Sequence, residues 1–131
     1  MTDVLPAQTA AILAAVGFLA IAAFQLALAL GAPLGRAAWG GANERLPGRL
    51  RIGSAIAVVI WLVASLIVLA RGGSPIVPLP LTLAEWGTWA LVGLSLVGAI
   101  VNFASSSRWE RFGWAPLALI LALLCIVLAL S

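Results

Sequence analysis

The stretch from Thr9 to Arg51 reads TAAILAAVGFLAIAAFQLALALGAPLGRAAWGGANERLPGRLR, and its two halves suit different solvents. Through Leu30 it runs 22 residues without a charge; residues 32–51 then collect four of the chain's seven arginines among Pro33, Gly35, Gly40, Gly41, Pro47 and Gly48. A hydrocarbon core of ~30 Å takes about 20 residues of helix. The first half therefore reads as one membrane crossing and the second as the loop that ends it.

Three more charge-free runs lie downstream, at 52–70, 86–104 and 112–130, each of 19 residues. The chain is 64% hydrophobic and 8% charged, where soluble domains are usually about 45–50% apolar. Backbone in lipid must satisfy its own hydrogen bonds, and runs rich in Leu and Ala lack the alternation of a barrel strand. The prediction is an all-α membrane protein: a single transmembrane domain of four helices, with spans of about 9–30, 52–70, 86–104 and 112–130. The first span is not read as a cleaved signal, because MTDVLPAQ carries no Lys or Arg and the apolar run is long for one.

With four spans, the first and third loops share a side. They hold Arg36, Arg45, Arg49, Arg51, Arg108 and Arg111, against Arg71 alone on the other. Basic loops stay cytoplasmic, so both termini are expected outside, in a single topology, with the chain in a bacterial cytoplasmic (inner) membrane. Trp39, Trp109 and Trp114 then fall at the cytoplasmic edge and Trp86 and Trp89 at the outer edge, whereas Trp61 falls mid-span. Dual-topology four-span proteins, such as small multidrug transporters and fluoride channels, need a near-neutral loop balance and are excluded by this bias.

The pattern of Gly31 to Gly35 (GAPLG), Trp39 to Gly41 (WGG), Leu46-Pro47 and Leu50-Arg51 resembles the segment joining the first two spans in small, uncharacterised four-span bacterial integral membrane proteins. The resemblance implies the same architecture and brings no activity with it.

At 100° per residue each span shows one stripe of small or polar residues, the groups that pack helices in lipid. The stripes are Ala11, Ala14, Phe18, Ala22, Gln25 and Ala29; Ser54, Val58, Trp61 and Ser65; Thr88, Ser95, Ala99, Asn102 and Ser106; and Trp114, Ala118, Leu121 and Cys125. Depth places Gln25, Ser54 and Asn102 at one level of the inner leaflet, a candidate inward polar cluster. Trp61 and Ser95 meet near the midplane, with the indole N–H expected to donate to the serine hydroxyl or to wall a pocket.

Catalysis finds no support. There is no histidine, no lysine and one cysteine, Cys125, and the carboxylates Asp3, Glu44, Glu85 and Glu110 all lie outside the spans. Without a base at depth neither a nucleophilic serine nor proton coupling is served, and no phosphate loop or metal-ligand spacing appears, so no cofactor is expected. Glu44 and Glu110 read as solvated ion pairs with their arginine neighbours. The six arginines of the basic loops are candidate contacts to anionic headgroups, the partners being membrane lipids rather than nucleic acid.

Two functions are compatible with this inventory. One is a non-catalytic protein acting through helix contacts, as a homo-oligomer or an accessory subunit of a membrane complex. The other is a small channel or facilitator for a neutral or anionic solute or lipid. They part on whether the inward stripes are dry or wet.

Overall fold

The four apolar runs fold into four long helices, each long and apolar enough to cross a membrane. The computed structural model describes residues 4–131; Asp3 lies outside it. Helix α1 is Val4–Ala29, α2 is Gly48–Arg71 and α3 is Leu81–Phe103; α4, Ala115–Ala129, continues a π-helical turn, Glu110–Trp114. α2 and α3 start four and five residues before the charge-free runs do, because a helix continues through the headgroup level, where Arg49, Arg51 and Glu85 are solvated. Pro47 and Pro80 set both starts, with φ fixed near −60° and ψ extended.

The π turn has a local cause. Pro116 carries no N–H and its ring would press on the carbonyl of Phe112 in a regular helix. Widening the turn by one residue relieves that clash, and the Ala115 N–H donates to the Glu110 carbonyl five residues back.

Helix α1 packs on α2 and α4, and α3 packs on α4 and α2, so α1 and α3 face each other across the bundle. Toward the end that holds Arg71 the interior is closed by small side chains. Ala14, Ala64, Val68, Cys125 and Leu128 are buried there, with Phe18 below them. Thr88 and Ser65 are buried in the same half, and each hydroxyl donates to a carbonyl one turn back, Ala84 at 2.7 Å and Trp61 at 2.9 Å. The same end is tied by Arg71, whose Nη2 donates to the Ser131 backbone oxygen at 2.5 Å.

The arginine-rich end is built differently. α1 stops at Gly31 (φ +93°), where Ala32 N–H bonds the Ala27 carbonyl and Gly31 N–H that of Leu28, a left-handed turn that glycine adopts without a Cβ clash. Arg51 Nε and Arg45 Nη1 then donate to the carbonyls of Ala29 and Gly31, at 3.0 and 3.2 Å, placing cations at the negative end of the helix dipole. Residues 32–47 do not trail into solvent. They fold back over the bundle in two 3₁₀ turns, Gly35–Ala37 and Trp39–Gly41, above a small apolar core of Leu28, Ala38 and Leu46.

Candidate functional site

The fold-back loop is pinned by backbone contacts that side chains would block. Gly35 N–H donates to the Glu44 carbonyl at 2.8 Å, and a Cβ on Gly35 would collide with the backbone oxygens of Asn43 and Glu44. Trp39 follows in a left-handed conformation, φ +50°, which costs a non-glycine residue about 1–3 kcal/mol. Two contacts offset that strain. The indole rests 3.1 Å from where a Gly53 Cβ would stand, and its Nε1–H donates to Ser54 Oγ at 3.0 Å.

The second basic loop is stitched to the first. Ser107 Oγ donates to the Arg36 carbonyl at 2.6 Å, and Glu110 Oε1 accepts from Gly40 N–H at 3.0 Å and from Ser105 Oγ at 2.5 Å. Ser107 and Glu110 stand at the spacing of a helix capping box, with Ser107 Oγ accepting from Glu110 N–H at 3.4 Å. Glu110 is therefore a clasp between loops, which corrects its reading as a solvated ion pair with its arginine neighbours.

Beneath this clasp lies a cavity of about 790 Å³ between α1 and α3. Its deep wall is apolar, formed by Phe18, Ile21, Trp61, Leu94 and Leu121. Phe18 and Trp61 stack there with centroids 5.4 Å apart and planes 10° from parallel. Nearer the loops, Phe24 meets Trp114 at 4.7 Å, so Trp114 turns inward rather than joining an interfacial belt. The mouth carries Asn43, Arg49, Ser105 and Glu110.

The polar residues singled out in the sequence divide at this cavity. Gln25 and Asn102 line it from opposite helices, and Asn102 Nδ2 is held by the Gly98 carbonyl at 2.6 Å, which leaves Oδ1 free to accept. Ser54 is not on the wall; it is fully buried as the acceptor for Trp39, so the predicted cluster of three is a pair. Trp61 and Ser95 both line the cavity but are not hydrogen-bonded to each other, because the indole stacks on Phe18 instead. Among the described residues Ser95 Oγ and Gln25 Oε1 are buried without a hydrogen-bond partner.

Of the six basic-loop arginines, Arg45 and Arg51 are committed to capping α1. Arg111 lies over the Phe112 ring at 5.5 Å. Arg36, Arg49 and Arg108 are exposed, and of these Arg49 is at the cavity mouth. The fold-back of the first loop was not foreseen; the signals for it were the positive-φ pair Gly40-Gly41 and a tryptophan with no span to belong to.

Comparison with protein-family models, with curated proteins and with solved structures gives no match. The functional reading therefore rests on the geometry of the site.

The mouth is polar and the floor apolar, which suits an amphipathic molecule, and the volume lies within the roughly 300–1,000 Å³ of small-molecule sites.

Proposed function

We propose that this integral membrane protein binds a small amphipathic molecule in the half of the bundle that faces its basic loops, as a binding protein or facilitator rather than a scaffold of helix contacts. The observation that carries this reading is a cavity of about 790 Å³ that is apolar at depth, polar at its mouth and lined by the amide residues Gln25 and Asn102 from facing helices. The positive-inside rule supports placing the cavity mouth on the cytoplasmic side of a bacterial inner membrane, with both termini outside.

The Arg71 half fits helix packing alone, being filled by alanines and by hydroxyls bonded within their own helices. The pathway is thus closed at that end, and the protein works as a pocket with one polar mouth.

The test is native mass spectrometry of the purified protein and of Gly98→Leu. Gly98 lines the cavity, and a Cβ there meets only Ala118 Cβ, at 3.9 Å, so leucine fills the void without displacing backbone. A lipid-sized adduct on the wild type that disappears in Gly98→Leu is expected. Equal adducts on both would remove the cavity from the account.

A further inference from the structure

The cavity has a membrane-facing flank. At the Arg71 end α2 and α3 meet closely, with Ile67 Cγ2 2.9 Å from where a Gly87 Cβ would stand. At the loop end they are joined through the first loop: Trp39 lies on Gly53 and Ser54 of α2, and Gly40 bonds Glu110 and Ser106 beyond the end of α3. Between these ties a shallow apolar groove follows the outside of the pair, past Ile60, Val63 and Ala90 to Leu94. Leu94 also lines the cavity, as does Val101, and the two are 42% and 61% exposed. The cavity thus opens sideways toward hydrocarbon, while toward water Ala37, Ala38, Trp39 and Gly40 roof it beside the polar mouth.

Its depth is that of one leaflet. At 1.5 Å per residue, Leu94 lies about 14 Å from the loop end of α3 and Phe18 about 17 Å from that of α1. Half of a ~30 Å hydrocarbon core is about 15 Å. The Phe18–Trp61 stack and Leu121 therefore floor the cavity near the midplane, where an acyl chain of that leaflet ends.

The mouth is at headgroup level, and the charge around it is positive. The two loops carry six arginines against Glu44 and Glu110. Arg45 and Arg51 are spent on carbonyls of α1, and Glu110 Oε1 on Gly40 N–H and Ser105 Oγ, whereas Arg49 is exposed at the mouth. Arg36 and Arg108, also exposed, flank the Ser107 bond that joins the loops.

Building on the pocket reading above, we infer that the ligand is an anionic phospholipid of the leaflet on the basic-loop side, exchanging with the bilayer through the flank. One acyl chain enters past Leu94 and Val101 and ends against the Phe18–Trp61 stack. The other chain stays in the bilayer, and the phosphate is held at Arg49, whose planar guanidinium matches it.

Photolabelling of the full chain in phosphatidylethanolamine vesicles tests this, with a trace of phosphatidylglycerol carrying a diazirine near the end of one chain, and the same chain on phosphatidylcholine as the comparison. Peptide mass spectrometry should find the phosphatidylglycerol label on Phe18 and Leu121, inside the cavity, as well as on Ile100, which is 68% exposed outside it. The interior label should disappear in Gly98→Leu and fall about fivefold in Arg49→Gln, the equivalent of about 1 kcal/mol for one arginine, with the Ile100 label unchanged. Thermal unfolding in detergent checks that both variants are folded. Equal interior labelling by the two headgroups would overturn the anionic assignment. Label on Ile100 alone, beside a different co-purified molecule that Gly98→Leu releases, would overturn this inference and leave the pocket standing. Interior label that persists in Gly98→Leu would overturn both.

Discussion

Replacing Trp39 by phenylalanine tests whether the first basic loop is a docked cap over the cavity. The indole Nε1–H is the donor to Ser54 Oγ, 3.0 Å away and wholly buried. Phenylalanine keeps most of the ring against Gly53 but leaves the Ser54 hydroxyl without its partner, at about 1–3 kcal/mol. Ser54→Ala strands the indole N–H instead, and since Trp39 is 45% exposed water can replace that partner, so its cost is smaller, about 0.5–1 kcal/mol. The double variant has no stranded group and should be less destabilised than the sum by about 1 kcal/mol, a coupling within the range for residues in contact. Reversible unfolding in mixed micelles with increasing SDS, on all four proteins, measures the cycle. Strict additivity would mean that no bond joins the loop to α2, and the cap would be undocked.

Three further outcomes follow from the same contacts. Gln25→Leu removes a buried acceptor that no group in the protein satisfies, so the protein should gain roughly 1–3 kcal/mol in the same titration; a loss of stability would show that the amide is paired internally. Gly35→Ala drives a methyl group into the carbonyls of Asn43 and Glu44 and should cost about 1–3 kcal/mol, detected as faster proteolysis within residues 32–47; an unchanged cleavage rate would contradict the close approach. Glu110→Ala opens the clasp to Gly40 and Ser105, with a cost of about 1 kcal/mol because the Gly40 bond is exposed, and should speed amide exchange at Gly40; unaltered exchange would remove the clasp.

The helices were legible in the sequence because lipid allows few alternatives: a run of about 20 uncharged residues has one way to satisfy its backbone. Their ends were less so. Charge marks where hydrocarbon stops, and helix hydrogen bonding does not stop there, as Arg49 and Arg51 inside α2 show. The inward stripes were readable by period, and Ala14, Phe18, Thr88, Ser95, Ala99 and Cys125 are all buried.

The site was half legible. Gln25 and Asn102 meet one cavity because depth and period locate residues on single helices, and that arithmetic needs no knowledge of neighbours. Ser54 was lost from the cluster through a partner that the arithmetic does not contain, a loop tryptophan fifteen residues earlier in a left-handed conformation. Trp61 was matched to Ser95 for its hydrogen bond, but the flat contact with Phe18 decided its orientation. The two-loop clasp depends on pairings some seventy residues apart, Gly40 with Glu110 and Arg36 with Ser107, and no local pattern encodes those. Only the cap at Ser107 had a local signature, the serine followed three residues later by Glu110.

The central claim is that the bundle is open at its arginine-rich half and closed at the other, and thiol accessibility measures this directly. In Cys125→Ala protein, single cysteines replace Ala118, on the cavity wall, and Ala14, fully buried in the opposite half. A small water-soluble methanethiosulfonate should modify position 118 readily, position 14 scarcely at all, and position 118 no longer once Gly98→Leu fills the void. Equal protection of both positions in otherwise native protein would show a bundle packed dry throughout, and the pocket would have no place in its function.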